Sequence, residues 1–180
     1  GLYTIVIRDF DVNTTGTYTI TFQKLPGAVS SVADLDGGAI SSGETLSGTI
    51  NVPSDMDAFQ FYGNAGDRVI INAVTTSGAL DTRIVLYPPD GSAREADSSN
   101  GCPYGACNGE DVLEHQLGQT GLYTIVIRDF DVNTTGTYNI SLSKIPSTIR
   151  PGIYNPSPPN GSTISNSSGS FSWEPVTGAT

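Results

Sequence analysis

The chain has 180 residues, and its eight Lys and Arg residues against eighteen Asp and Glu residues give a formal net charge of −10. This balance excludes the basic patch that nucleic-acid phosphates or anionic lipids require, and no stretch is long and apolar enough for membrane insertion. The abundance of Gly, Ser, Thr, Asn and Asp is typical of a secreted β-protein with many turns.

The first predicted element is a repeated one. The string GLYTIVIRDFDVNTTGTY occurs at 1–18 and again at 121–138, and a looser match continues through 19–26 and 139–146. In each copy two alternating apolar stretches flank a polar turn, which predicts a β-hairpin with one buried face. An isolated hairpin is not stable in water, so the face of residues 1–26 must be covered by strands from elsewhere. That face comprises Tyr3, Ile5, Ile7, Tyr18, Ile20 and Phe22.

Between the two copies, short alternating stretches separated by turn signals predict further strands, and no segment shows a helical stripe. The predicted strands are 45–52, 58–63, 68–75, 82–87 and 111–117. Short strands at even spacing indicate an all-β, antiparallel β-sandwich or jelly-roll-like module. Since the repeat has a period of one domain, we expect a tandem array of such modules.

The expected boundaries follow from this pattern and from composition. Residues 1–26 are the C-terminal hairpin of a preceding domain, and residues 27–147 form a complete domain. Residues 148–170 are rich in Pro, Ser and Asn, which predicts an extended linker. Residues 171–180 are the first strand of a further domain, with Trp173 as its core anchor.

Two cysteines, Cys102 and Cys107, lie in the turn sequence NGCPYGACNG. A zinc site would need a second Cys or His pair, which the chain lacks, so we expect a local disulfide and an oxidising compartment. Tyr104 lies between these cysteines and is a candidate ligand contact. The alternative is that Tyr104 packs over the disulfide.

The middle domain resembles the bacterial pre-peptidase C-terminal (PPC) domain over about 120 residues. The resemblance rests on an ordered series of segments: GETLSGTI at 43–50, DMDAFQF at 55–61, AGDRVII at 65–71, LDTRIVLYPPDG at 80–91, GLYTI at 121–125 and GTYNI at 136–140. It implies a non-catalytic β-sandwich attached to a secreted protease or surface protein, and some members bind collagen, polysaccharide or calcium. The segment PPNGSTISNSSGSFSWEPVTGAT is similar to the start of an immunoglobulin- or fibronectin-III-like domain.

Four carboxylates are candidate ligands for Ca²⁺, which prefers hard oxygen donors on loops. They are the rough counterparts of the calcium ligands in PPC relatives, although the relatives' cluster of Glu and Asn is missing here. The alternative is that these four residues are solvated side chains of ordinary turns and bind no ion. DFDVNTTG begins like an EF-hand loop but has Thr14 and Ile20 where Gly and Glu are required. The four candidates are Asp34, Asp36, Asp55 and Asp57.

Two further kinds of site have weaker sequence signals. His115 is the sole histidine and lies in a strand pattern without a nucleophile context, so we expect no catalytic triad and no enzymatic activity. Asn-X-Ser/Thr triplets are candidate glycosylation sites, two of them on the tips of the repeated loop. They occur at Asn13, Asn133, Asn139, Asn160 and Asn166.

Two functions of different classes remain open. The first is a structural or adhesive module of a repeat-built cell-surface or filament-forming protein, whose partners are adjacent domains or copies of itself joined by β-strand complementation between subunits. The second is a carbohydrate- or collagen-binding accessory domain of a secreted hydrolase or protease. An exposed aromatic row would favour the second, and the sequence offers few candidates for one.

Overall fold

The computed structural model describes residues 1–27, 34–98 and 109–147. The chain divides into two units, Gly1–Pro146 and Ser147–Thr180, and of the second unit only Ser147 is described. The predicted linker at 148–170 and strand at 171–180 therefore lie outside the described residues. The same holds for Cys102, Cys107, Tyr104, Asn160 and Asn166.

The described residues form nine β-strands and no helix, which confirms the all-β prediction. The strands are β1 (Gly37–Ala39), β2 (Thr45–Ile50), β3 (Met56–Gly63), β4 (Arg68–Gly78), β5 (Thr82–Tyr87), β6 (Ala96–Asp97), β7 (Glu110–Gln116), β8 (Gly121–Asp129) and β9 (Gly136–Ile145). In the part of the chain that is described, nothing helical is present that could cross a membrane.

Two sheets pack face to face around one main core. The first has the order β1-β3-β8-β5-β6 and the second the order β2-β9-β4-β7. All pairings are antiparallel except that of β1 with β3. Because side chains alternate along a strand, each sheet turns one apolar face inward. Among the largest buried side chains are Phe59, Ile71, Ile84, Tyr123 and Tyr138.

The predicted hairpin of the second repeat is wrong. Strand β8 pairs with β3 and β5, whereas β9 pairs with β2 and β4, so the two strands lie in opposite sheets. The loop between them is an arch that crosses the edge of the sandwich. The inward faces of both strands still meet in the core, with Ile125 and Ile140 fully buried. A hairpin and an arch have the same alternating pattern, which is why the sequence did not distinguish them.

In the first repeat the structure assigns no strand to residues 1–27, contrary to the predicted hairpin. The six apolar side chains of the predicted buried face are exposed, from 45 % for Ile7 to 90 % for Tyr3. The loop is nevertheless the same as in the second repeat. Val12 has φ 57° and Val132 has φ 60°, both in the left-handed region. The loop sequence thus specifies its own conformation, while strand formation requires the neighbouring strands.

Candidate functional site

The candidate site lies at the start of β3, where the turn before the strand fixes Asp55. The Asp55 amide donates to the carbonyl of Val52 at 3.0 Å, which closes the turn. The Asp55 carboxylate then accepts the amide of Asn51 at 2.8 Å and that of Met56 at 2.9 Å. Both hydrogen bonds hold a carboxylate, 7 % exposed, in a single orientation.

Asp57 lies on the inward face of β3 together with Phe59, and it is 1 % exposed. Its Oδ2 accepts a hydrogen bond of 2.6 Å from the Tyr138 hydroxyl of β9. Its Oδ1 is buried and has no hydrogen-bond partner. The Tyr138 ring lies against Gly48 of β2, where any Cβ would overlap the phenol. Glycine at position 48 therefore makes room for the tyrosine that holds Asp57.

Asp34 completes the cluster from the segment before β1. One carboxylate oxygen from each of Asp34, Asp55 and Asp57 lies within 4.8 Å of the others. Asp36 is not in this group, and its Oδ2 accepts the Thr49 amide of β2 at 2.8 Å. The structure thus brings three of the four predicted carboxylates together, and it assigns the fourth a backbone contact.

The electrostatics of the cluster favour a bound cation or proton. Burial raises the pKa of Asp57 to about 7. The hydrogen bond from Tyr138 lowers this pKa, whereas the nearby carboxylates of Asp34 and Asp55 raise it. Burial likewise raises the pKa of Asp34, with contributions from Asp55 and Asp36. The neighbouring carboxylates therefore make ionisation of Asp34 and Asp57 less favourable.

The donor set fits Ca²⁺. This ion binds carboxylate oxygens at about 2.3–2.6 Å, so two ligands on opposite sides of it lie about 5 Å apart. A mutual separation within 4.8 Å satisfies that limit. The unpartnered Oδ1 of Asp57 is the specific observation that points to a ligand, because buried carboxylate oxygens are normally hydrogen-bonded. The three residues would supply three of the six to eight ligands that Ca²⁺ takes.

The loop that begins like an EF-hand uses its acidic residue for its own backbone instead. Asp129 accepts the amides of Asn133 at 2.8 Å and Thr134 at 3.2 Å, and also the Thr134 hydroxyl at 2.6 Å. Although burial opposes it, these bonds lower the pKa of Asp129. In the first repeat Asp9 accepts the same three groups, at 3.0, 3.3 and 2.9 Å. The loop is therefore a self-capped turn, in agreement with the turn interpretation.

The remaining predicted residues are dispersed. His115 lies in β7, as expected of a strand residue, and its Nε2 is 2.9 Å from Glu95 Oε1, which also accepts the Gly118 amide. Asn139 accepts a hydrogen bond from the Ser47 hydroxyl at 2.9 Å. Asn13 and Asn133 are exposed on their loops. The sequence did not identify Tyr138 as the hydrogen-bond donor to Asp57, because the alternating pattern marked it only as a core residue.

The fold and the site together define a β-sandwich module with a buried carboxylate cluster at one end of its core. No protein family matches the chain by sequence, and neither does any curated protein. Among solved structures it is similar to a pre-peptidase C-terminal domain of a collagenase from Bacillus anthracis, at 16 % identity and a TM-score of 0.48. That match covers 60 % of this chain and 95 % of the other.

The chain is also similar to two structures of PliG, a periplasmic inhibitor of g-type lysozyme. The protein from Salmonella Typhimurium is 17 % identical, with 61 % of this chain and 98 % of the other covered and a TM-score of 0.46. The protein from Aeromonas hydrophila is 10 % identical, with 60 % and 96 % covered and a TM-score of 0.41.

Proposed function

We propose that this chain is part of a non-catalytic structural or adhesive protein built from repeated extracellular β-sandwich modules. In this proposal, residues 1–26 are a closing strand pair that is covered by a second module of the same type. One observation supports it above the others. The inward-facing residues of the same 18-residue sequence are buried in β8 and β9, and their counterparts at 1–18 are exposed.

The contrast is large at each corresponding position. Tyr123, Ile127 and Tyr138 are fully buried, whereas their counterparts Tyr3, Ile7 and Tyr18 are 90 %, 45 % and 68 % exposed. Burial of a large apolar side chain contributes about 1.5–3 kcal/mol. Six such side chains give a gross contribution on the order of 10 kcal/mol, before the cost of ordering the strands. An exposed face of this size favours association.

The test is the association state of the full chain, measured by sedimentation velocity over a range of concentrations and by electron microscopy. We expect concentration-dependent assembly of the unsubstituted chain. The double variant Ile5→Asp/Ile20→Asp places charges on the apolar face and should remain monomeric. The matched control Leu2→Asp/Thr19→Asp places the same charges at positions whose counterparts, Leu122 and Asn139, lie on the outer faces of the sandwich, and it should still assemble.

A chain that stays monomeric at all concentrations, with residues 1–26 open to protease, would overturn the proposal. Equal behaviour of the two double variants would overturn it as well, because association would then not involve the apolar face. Either result would leave the alternative of an accessory domain that binds collagen or polysaccharide.

We further propose that Asp34, Asp55 and Asp57 bind Ca²⁺ and that the ion stabilises the module. The buried, unpartnered Oδ1 of Asp57 supports this. Calorimetric titration with Ca²⁺ should show one site, which Asp57→Asn removes. The control Asp131→Asn lies on the exposed loop and should leave binding unchanged. Absence of heat in the unsubstituted chain, together with an unchanged melting temperature in excess Ca²⁺, would refute calcium binding.

A further inference from the structure

We propose that residues 25–27 dock the end of the first repeat onto the module that follows it, so that a second module covering that repeat is held in one fixed orientation. This inference rests on the proposed function, in which such a second module exists. The docking site is called the junction surface and is defined here as the Pro88–Gly91 turn together with Gln60, which points outward from β3.

The contact with the turn depends on a glycine. A Cβ atom at position 91 would come within 2.5 Å of Pro26 Cδ and 2.6 Å of the Leu25 carbonyl oxygen. Gly91 also has φ 68°, in the left-handed region that side chains disfavour. The next residue of the segment is held as well, because Gln60 Nε2 donates to the Gly27 carbonyl at 3.3 Å. Residues 25–27 are therefore in contact with both parts of the junction surface.

The junction surface is fixed by the sandwich itself. Pro89 lies against Gly121 at the start of β8, where a Cβ would come within 2.7 Å of the Pro89 Cβ. The Asp90 carboxylate accepts the side-chain amide of Gln119 at 3.0 Å. The turn is thus tied to the residues that lead into a central strand. A surface that is already ordered lowers the entropic cost of docking, and it transmits the orientation of whatever docks on it.

The second copy of the repeat provides an internal comparison. Ile145 is the last residue of β9 and is 46 % exposed, whereas its counterpart Leu25 is half-buried. This difference is the reverse of the one along the strands, where the first copy is the more exposed. Since Leu25 corresponds to a strand residue, no linker residue separates the strand pair from the contact. A junction without a linker has little freedom to bend.

Trypsin cleavage of the full chain tests the docking. Lys24 directly precedes the junction, and Arg8 in the same repeat is the internal reference. All variants are made in the Ile5→Asp/Ile20→Asp chain, which we expect to be monomeric, so the result does not depend on association. Cleavage after Lys24 requires the junction to open. Its rate reports the open population when opening is fast relative to cleavage.

The first variant acts on the turn. Gly91→Ala should raise the ratio of cleavage after Lys24 to cleavage after Arg8 about tenfold, the effect of about 1.4 kcal/mol of lost docking. The matched control is Gly43→Ala. Gly43 has a similar left-handed conformation, with φ 87°, but open space around it, so this control should leave the ratio unchanged.

The second variant leaves the turn intact and acts on the other part of the junction surface. Gln60→Ala removes the donor to Gly27 and should raise the cleavage ratio about fivefold, the effect of one hydrogen bond. The matched control is Asn72→Ala. Asn72 donates to the Ser141 hydroxyl at 3.4 Å in the other sheet, and its loss should not change the ratio.

Distances between two spin labels test whether the docked segment has a fixed position. The chain's two cysteines are replaced by serine, and one label is placed at Ser77→Cys on the exposed end of β4. The other is placed at Gln23→Cys or at its counterpart in β9, Ser143→Cys. We expect the two distance distributions to have similar widths, and Gly91→Ala should broaden the one from Gln23 about twofold.

Equal cleavage ratios in all four variants would show that residues 25–27 do not dock, which would overturn the inference and leave the proposed function standing. Protection of Lys24 together with a broad distance distribution from Gln23 would overturn the fixed orientation. If the Ile5→Asp/Ile20→Asp chain associates as strongly as its matched control, the proposed function fails whatever the cleavage ratio, and the inference about a second module fails with it.

Discussion

The buried Asp57 carboxyl predicts an unusual dependence of stability on pH. Its pKa is raised from 3.8 to about 7 in the folded protein, mainly by burial. Between these two values the folded state holds a proton that the unfolded state has lost. The free energy of unfolding must therefore fall as pH rises through this window, the opposite of the behaviour of a salt-bridged aspartate.

The magnitude follows from the two pKa values. For one group with these values, raising pH from 5 to 8 removes about 2.5 kcal/mol of stability in the absence of metal. Asp57→Asn carries no titrating group at this position, so its free energy of unfolding should fall by about 2.5 kcal/mol less than that of the unsubstituted chain over the same pH range. Bound Ca²⁺ should suppress the effect, because it favours the ionised carboxylate and becomes more stabilising as the proton leaves.

The assay is urea unfolding at pH 5 and pH 8, followed by circular dichroism, with chelator and with excess Ca²⁺. The difference between the unsubstituted chain and Asp57→Asn isolates this carboxyl from the other titrating groups, such as Asp34 and Asp111, whose pKa values are also raised by burial. Equal pH dependence of the two proteins in chelator would refute the argument. If the free energy of unfolding falls as steeply at high pH in Ca²⁺ as in chelator, Asp57 does not bind calcium.

Three further predictions use the repeat or the tyrosine as an internal control. Asp129→Ala removes the acceptor for the loop hydrogen bonds and should cost about 2–3 kcal/mol in urea unfolding, whereas Asp9→Ala should leave the sandwich unchanged. Gly136→Ala drives a Cβ into the Ser77 carbonyl and should cost about 1–3 kcal/mol, whereas Gly16, with open space around it, should tolerate alanine; equal effects would contradict the fold. Tyr138→Phe should raise the pKa of Asp57 further, measured by NMR titration of the carboxyl, and a lowered pKa would contradict the observed hydrogen bond.

The sandwich strands were predictable where one face is apolar. The predicted strand at 82–87 coincides with β5, and those at 45–52, 58–63, 68–75 and 111–117 overlap β2, β3, β4 and β7. Strands β1 and β6 were not predicted, because they have three and two residues and pair mainly through their backbones. Alternation reports which face is buried but not which strand is the neighbour, so the arch between β8 and β9 required the structure.

The carboxylate cluster was partly predictable for a related reason. Asp55 and Asp57 are close in sequence and precede an apolar stretch, which places them at the entrance to a strand. The hydrogen bond from Tyr138 joins residues 81 positions apart, and only the packing of β3 against β9 creates it. Asp36 has the same residue type and similar spacing as Asp34, yet it caps the Thr49 amide, a backbone partner that sequence spacing does not indicate.

The cluster and the repeat are physically connected through Tyr138. This residue is the inward anchor at the start of β9, and it donates to the Asp57 carboxylate beside the cluster. An ion held by Asp34, Asp55 and Asp57 would keep Asp57 ionised and so strengthen its bond to Tyr138. Tyr138→Phe should therefore reduce the gain in the free energy of unfolding that Ca²⁺ produces, measured by urea unfolding with Ca²⁺ and with chelator. An equal gain in the unsubstituted chain and in Tyr138→Phe would show that the ion does not act through β9.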